Sequence, residues 1–157
     1  MDSKKEKDQE KMKNEKLLVV IRISGMVKVR KDIKETLNRL RLRRKYSCVL
    51  VTSNKNVEGM LEKVKFYVAY GEINKETLEK LIKGKAESVE GRKKPININE
   101  KKVAEDLING KKLVDIGLKP FFRLHPPRKG IKSKLQYPKG VLGDNKKDIN
   151  KLVERML

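Results

Sequence analysis

The segment Leu17–Ser24, LLVVIRIS, constrains the fold more than any other part of the sequence. Its five consecutive aliphatic residues, Leu17–Ile21, fall far short of the roughly 20 needed to cross a bilayer. The run is rich in β-branched side chains and ends at Gly25, a pattern that predicts a buried strand. Val27–Lys31 either prolongs that strand or forms a basic loop. Asp32 with Glu35 then resembles a helix N-cap signal. Ile33, Leu37 and Leu40 follow at helical spacing, and the helix is expected to end near Leu42. Ser47–Ser53, SCVLVTS, predicts a second strand.

The same alternation continues down the chain. Asn56 is positioned to cap a second helix, with Val57, Met60, Leu61, Val64 and Val68 along one side. Tyr70, Gly71 and Ile73 suit a short third strand. Asn74 opens a helix carrying Leu78, Leu81 and Ile82, stopped by Gly84. The order β-α-β-α-β with further helices implies an α+β sandwich, with helices on one face of a small sheet. Residues 1–15 are polar and without periodicity, so they are expected to form a mobile charged tail. Residues 16–84 form the expected core and 85–157 a helical and extended addition. Within the latter, Ala86–Asn97 suits a linker, and Asn99 starts a helix with Val103, Ala104, Leu107 and Ile108 that closes at Gly110. LKPFFRLHPPRKG then suits a strand running into a proline-stiffened loop. Asp144 or Asn145 caps a last helix with Ile149, Leu152, Val153 and Met156 aligned.

A chain of 157 residues suits one domain, with room for an appended subdomain. Only 37% of it is hydrophobic, so the core is small, and 39% is charged, against roughly 25% for an average soluble protein. Forty-one Lys and Arg oppose 21 Asp and Glu, a formal charge of +20. Such a surplus repels itself and seeks a polyanion. The N-terminal MDSKKEKDQEKMKNEK has no apolar stretch like a secretion signal, and the lone Cys48 allows no intrachain disulfide. Both features make the cytoplasm the expected compartment and argue against a membrane partner.

The distribution of charge is more informative than its total. Lys16–Lys31, Thr36–Val57 and Leu118–Gly143 contain no acidic residue, and these 64 residues hold +18 of the +20. The remaining 93 carry 23 basic and 21 acidic groups. A solvated Lys-rich surface of the thermophilic kind intersperses both signs, which accounts for the balanced parts but not the acid-free ones. Segregation of this kind suits a surface that meets phosphates, because a carboxylate there would repel the backbone it must approach.

Catalytic chemistry finds little support. His125 is the only histidine, and Pro126 and Pro127 behind it make the segment stiff and extended. One His and one Cys cannot form a zinc site of the usual type. Cys48, inside a predicted strand, suits a small core hydrophobe. Gly84–Lys85 and Gly110–Lys111 lack the Ser or Thr and the upstream glycine of a phosphate-cradling loop. No enzyme activity, cofactor, metal or small-molecule substrate is therefore expected. By contrast, Pro126 and Pro127 fix the backbone ahead of Arg128 and Lys129, so little entropy is lost when those side chains meet phosphates. Phe121 and Phe122 beside Arg123, Tyr46 beside Lys45, and Tyr137 are the aromatics placed to stack on bases, although strand residues such as Phe121 and Phe122 more often face a core.

Three stretches taken together resemble a known family. VVIRISGMVKVRKDIKETLNRLRL, CVLVTSNKNVEGMLEKVKFYVAYGEINKETLEKL and LKPFFRLHPPRKG are similar to the archaeal and eukaryotic members of the large-subunit ribosomal protein thirty family, called seven in eukaryotes. The resemblance runs from about Leu17 to the C-terminus, and FRLHPPRKG is its most specific part. It implies a ferredoxin-like β-α-β-α-β core with an antiparallel sheet, the later helices and HPPR segment being an extension that bacterial relatives lack. It implies a structural constituent of the large ribosomal subunit, with ribosomal RNA and neighbouring ribosomal proteins as partners and no catalysis. The expected RNA face takes Arg22, Lys28, Arg30 and Lys31 around the first loop, Arg41, Arg43, Arg44 and Lys45 after the first helix, and Arg123, His125, Arg128, Lys129, Lys132 and Lys134 in the later basic segment. A free-standing regulator or chromatin-type binder using the same basic surface is the competing reading, and an RNA-processing enzyme is a third.

Overall fold

A computed structural model of the protein describes residues 16–91 and 97–157. The expected tail, residues 1–15, and part of the expected linker, residues 92–96, lie outside the described residues. The elements in chain order are β1 (Leu17–Arg22), α1 (Lys31–Arg39), β2 (Ser47–Thr52), α2 (Lys55–Val64), β3 (Val68–Glu72), α3 (Lys75–Lys85), α4 (Glu100–Ile108), β4 (Phe122–Arg123), β5 (Gly143–Asp144) and α5 (Ile149–Met156). Short 3-10 turns occupy Leu113–Ile116 and Lys146–Asp148.

The three long strands pair as the ferredoxin-like expectation requires, with β1 central and antiparallel to both β2 and β3. The full sheet is nonetheless mixed, in the order β4-β2-β1-β3-β5, because β5 joins β3 in parallel. Both edge strands come from residues after 118, so the C-terminal segment completes the sheet.

Helices cover both faces of this sheet, not one. The reason lies in β1, whose two alternating sets of residues are equally apolar and must both be buried. Val19, Ile21 and Ile23 join a core with Leu78, Leu81, Val103 and Leu107 of α3 and α4 and Ile149, Val153 and Met156 of α5. Val20 faces the other way, onto Leu37 of α1, Leu61 and Val64 of α2, and Leu42. Val68, expected on α2, instead opens β3 opposite Arg22, since α2 ends in a turn where the Tyr67 N–H bonds the Val64 carbonyl at 2.9 Å. Gly71 is needed where β3 meets the C-terminal segment: a Cβ there would lie 2.2 Å from the Lys146 carbonyl oxygen.

Several caps sit elsewhere than expected. α1 begins after Arg30 without a side-chain cap, leaving Asp32 in its first turn to oppose the helix dipole. Asn54, not Asn56, caps α2 by accepting the Val57 N–H at 2.9 Å. α3 runs through Gly84 to Lys85. Asn99 caps α4 as anticipated.

Candidate nucleic-acid interface

The loop from the end of α1 to β2 carries Arg41, Arg43 and Arg44, and its shape is fixed locally. Arg41 follows the last turn of α1 in the left-handed conformation, φ 61°. Its N–H bonds the Asn38 carbonyl at 3.0 Å, and the Leu42 N–H reaches back to the Leu37 carbonyl at 2.9 Å. This is the Schellman closure of a helix, usually made with glycine. Tyr46, φ 62°, kinks the chain again where its N–H bonds the Arg22 carbonyl at 2.7 Å.

Between these two bends lies Arg22, which the structure removes from the expected RNA face. Its side chain is only 1% exposed. The guanidinium donates to the carbonyls of Leu42 (2.7 Å), Arg43 (3.2 Å), Ser24 (3.0 Å) and Gly25 (3.0 Å). With four of its five N–H donors committed and its charge buried, Arg22 is not available to a phosphate. Instead it ties the loop after β1 to the loop after α1. One signal in the sequence points this way: strand alternation puts Arg22 on the same face as Leu18 and the buried Val20.

The other thirteen expected residues are all exposed. Arg41, Arg43, Arg44 and Arg123 converge on one concavity of about 520 Å³, which Arg39, Asn38, Ser47 and Phe121 complete. Arg39 is a member that the sequence does not single out, and it is paired with Glu35 across one helical turn at 2.6 Å. The remaining four arginines form no ion pair among the described residues, and no carboxylate lines the concavity. Pairing of β4 with β2, Arg123 opposite Ser47, is what carries Arg123 across from the far end of the sequence. Its guanidinium lies 5.8 Å from the centre of the half-buried Phe121 ring, while Phe122 is buried in the core.

Others of the candidates form two further groups. Lys28 and Arg30 belong to the loop held from beneath by Arg22, and Arg30 pairs with Asp32 at 3.2 Å. Lys129 and Lys132 line a separate concavity with Lys139, Lys151 and Arg155, where Asp148 is the one carboxylate. The HPPR segment leading to it is anchored to α5. The N–H groups of His125 and Arg128 bond the carbonyls of Met156 and Arg155, each at 3.0 Å. Arg155 returns its guanidinium to the carbonyls of Arg128 (2.9 Å) and Gly130. Nothing in the sequence marks out Arg155, yet it holds the loop that presents Arg128 and Lys129.

Nothing in the described residues suits bond-making chemistry. Cys48 is fully buried, and burial pushes its thiol well above the ordinary value. No cluster of His, Cys, Asp and Glu able to hold a metal ion is found among the described residues. No helix among them is long and apolar enough to cross a membrane.

Comparison with known proteins agrees with the fold. The family described as ribosomal protein L30p/L7e matches residues 18–68, which span β1 to the start of β3. Over 151 residues the chain is 43% identical to large ribosomal subunit protein uL30 of Archaeoglobus fulgidus, covering 89% of this chain and 99% of that protein. The protein of the same description from Methanococcus vannielii is 41% identical over 88% of this chain and 97% of its own length. That of Nanoarchaeum equitans is 38% identical over 90% and 99%. Identity at this level along nearly the whole length of each relative places the chain in the ribosomal protein L30p/L7e family, as a relative of archaeal uL30.

Proposed function

We propose that the protein is a structural constituent of the large ribosomal subunit that binds and stabilises folded ribosomal RNA through phosphate contacts. The observation that carries this reading is the concavity holding Arg41, Arg43, Arg44 and Arg123 with no lining carboxylate. Arginine forks suit bidentate phosphate contacts, and a rigid loop keeps the ordering cost of those contacts low. Lys28, Arg30 and Lys31, and beyond them Lys45, His125, Arg128, Lys129, Lys132 and Lys134, extend the contact to neighbouring RNA segments. The role is architectural, without a chemical step or cofactor. It places the protein on cytoplasmic ribosomes beside other ribosomal proteins.

Sedimentation of a lysate from cells expressing the tagged full chain tests this. Co-migration with large subunits that survives moderately high salt is the expected result. Exclusive recovery in the light, ribosome-free fraction would instead favour a free-standing nucleic-acid binder and overturn the proposal.

A further inference from the structure

The sheet has one edge that its own chain leaves uncovered. Just past β1 the N–H of Ile23 bonds Tyr67 on the β3 side, and Ser53 beyond β2 bonds Lys16, so odd-numbered residues of β2 and its continuation turn toward β1. The even-numbered residues Cys48, Leu50 and Thr52 therefore point their N–H and C=O groups outward. Cys48 is met by Phe122 of β4. Continuing that register brings Pro120 opposite Leu50, and proline has no N–H to give. β4 stops there, and the backbone of Leu50 and Thr52 has no hydrogen-bond partner among the described residues.

This open edge is the floor of a groove of about 410 Å³. Val57 and Met60 of α2 with Leu40 wall one side, and Leu107, Leu113 and the half-exposed Val114 wall the other. No aromatic ring lines it, so bases have nothing to stack on. No carboxylate lines it either, and its cations are Arg39, Arg41, Lys111 and Lys112. Arg39 and Lys111 are already paired, with Glu35 and Asp106, which leaves Arg41 and Lys112 without an ion partner among the described residues.

We infer that the outer edge of β2 at Leu50–Thr52 is a docking site for an extended, acidic peptide segment of another protein, added as a further strand. Main-chain hydrogen bonds to Leu50 and Thr52 would supply registry. Apolar side chains, which point in turn to the two faces of a strand, would enter the two walls, and carboxylates flanking them would meet Arg41 and Lys112. Long open edges are normally blunted, and here a short one is left bare between two apolar walls. The inference does not depend on RNA binding, since the groove faces the arginine concavity only through the shared Arg39 and Arg41.

Amide hydrogen exchange on the isotope-labelled full chain tests it, with an acetylated hexapeptide of four valines flanked by glutamates as the probe. The peptide should slow exchange at Leu50 and Thr52 by about tenfold or more, leaving Val49 and Val51 unchanged because they already bond β1. Thr52→Pro removes an outward N–H that the sheet does not use and should abolish the protection. Lys112→Glu, on the rim, should weaken it without touching the strand. The inference is overturned if the peptide protects neither amide, or if a hexaglutamate or a short single-stranded RNA protects them equally. It is also overturned if both variants, checked to be folded, bind as the parent does.

Discussion

Two regions of the molecule treat their positive charge in opposite ways. Across the layer of α3, α4 and α5, lysines meet carboxylates on neighbouring helices: Lys75 bonds Glu105 at 2.9 Å and Lys80 bonds Glu154 at 2.7 Å. Hydrogen bonds to those carboxylates hold both ammonium groups above their ordinary pKa. At the junction of α1, β2 and β4, five arginines share a concavity, and among the described residues only Arg39 has a carboxylate partner. One region settles its charge internally and the other leaves it largely unpaired, as the proposed RNA contact requires. The difference follows from acid-free segments that lie far apart in sequence and that β2–β4 pairing brings together.

The sharpest way to break this contrast is to remove what shapes the arginine loop. Arg22→Met leaves four carbonyls without their donor and should cost about 2–4 kcal/mol of stability, read by denaturant unfolding. At a temperature where the variant is still folded, its affinity for ribosomal RNA should also fall, by about tenfold or more, although no phosphate ligand has been deleted. Unchanged affinity in the folded variant would show that the loops need no support from beneath. Arg22→Lys, which keeps the charge but not the fork, should recover only part of either loss.

Arg41→Gly separates fold from function. Glycine relieves the left-handed strain at φ 61° and should raise stability by up to about 1 kcal/mol, while RNA binding weakens. A variant that is both more stable and equally tight would remove Arg41 from the interface. In the paired layer, Lys75→Ala with Lys80→Ala should change stability little and leave RNA affinity within twofold or so of the parent, because exposed ion pairs contribute little. A loss comparable to that of an arginine variant would erase the contrast.

The smallest effect concerns the C-terminal concavity. Asp148 is held below its ordinary value of 3.8, first by the hydrogen bond from the Tyr137 hydroxyl and then by Lys151. A carboxylate with a lowered folded pKa contributes stability that is present above about pH 4 and lost as pH falls through the folded value. Tyr137→Phe moves that value back up, so acid unfolding should begin at a slightly higher pH. An unmoved acid transition would show the pair to be without consequence.

Much of this was legible in the sequence because short β-branched runs and helical spacing are local signals. β1, β2 and every helix followed from them, whereas the antiparallel pairing was implied by the family resemblance and the acid-free segments were read from charge alone. What was not legible depended on residues far apart in the chain. The burial of Arg22 requires carbonyls from two loops, one of them some 20 residues away. β5 is two residues long and has no period to detect, so the parallel pairing and the mixed sheet had no local signature. Helices on both faces follow from β1 being apolar on both sides, a feature visible in LLVVI, whereas the one-faced expectation was drawn from the order of elements alone. Arg155, which anchors the HPPR loop, sits among ordinary helix-surface residues and acts through two carbonyls at a turn.

The salt dependence of binding to isolated ribosomal RNA tests the sorting of charge most directly. Log affinity should fall linearly with log salt for the parent chain. Replacing Arg43, Arg44 and Arg123 with Ala should flatten that line by about 0.7–0.9 for each phosphate no longer neutralised, whereas the Lys75 and Lys80 double variant should keep the parental slope. Equal slopes in all three proteins would contradict the account.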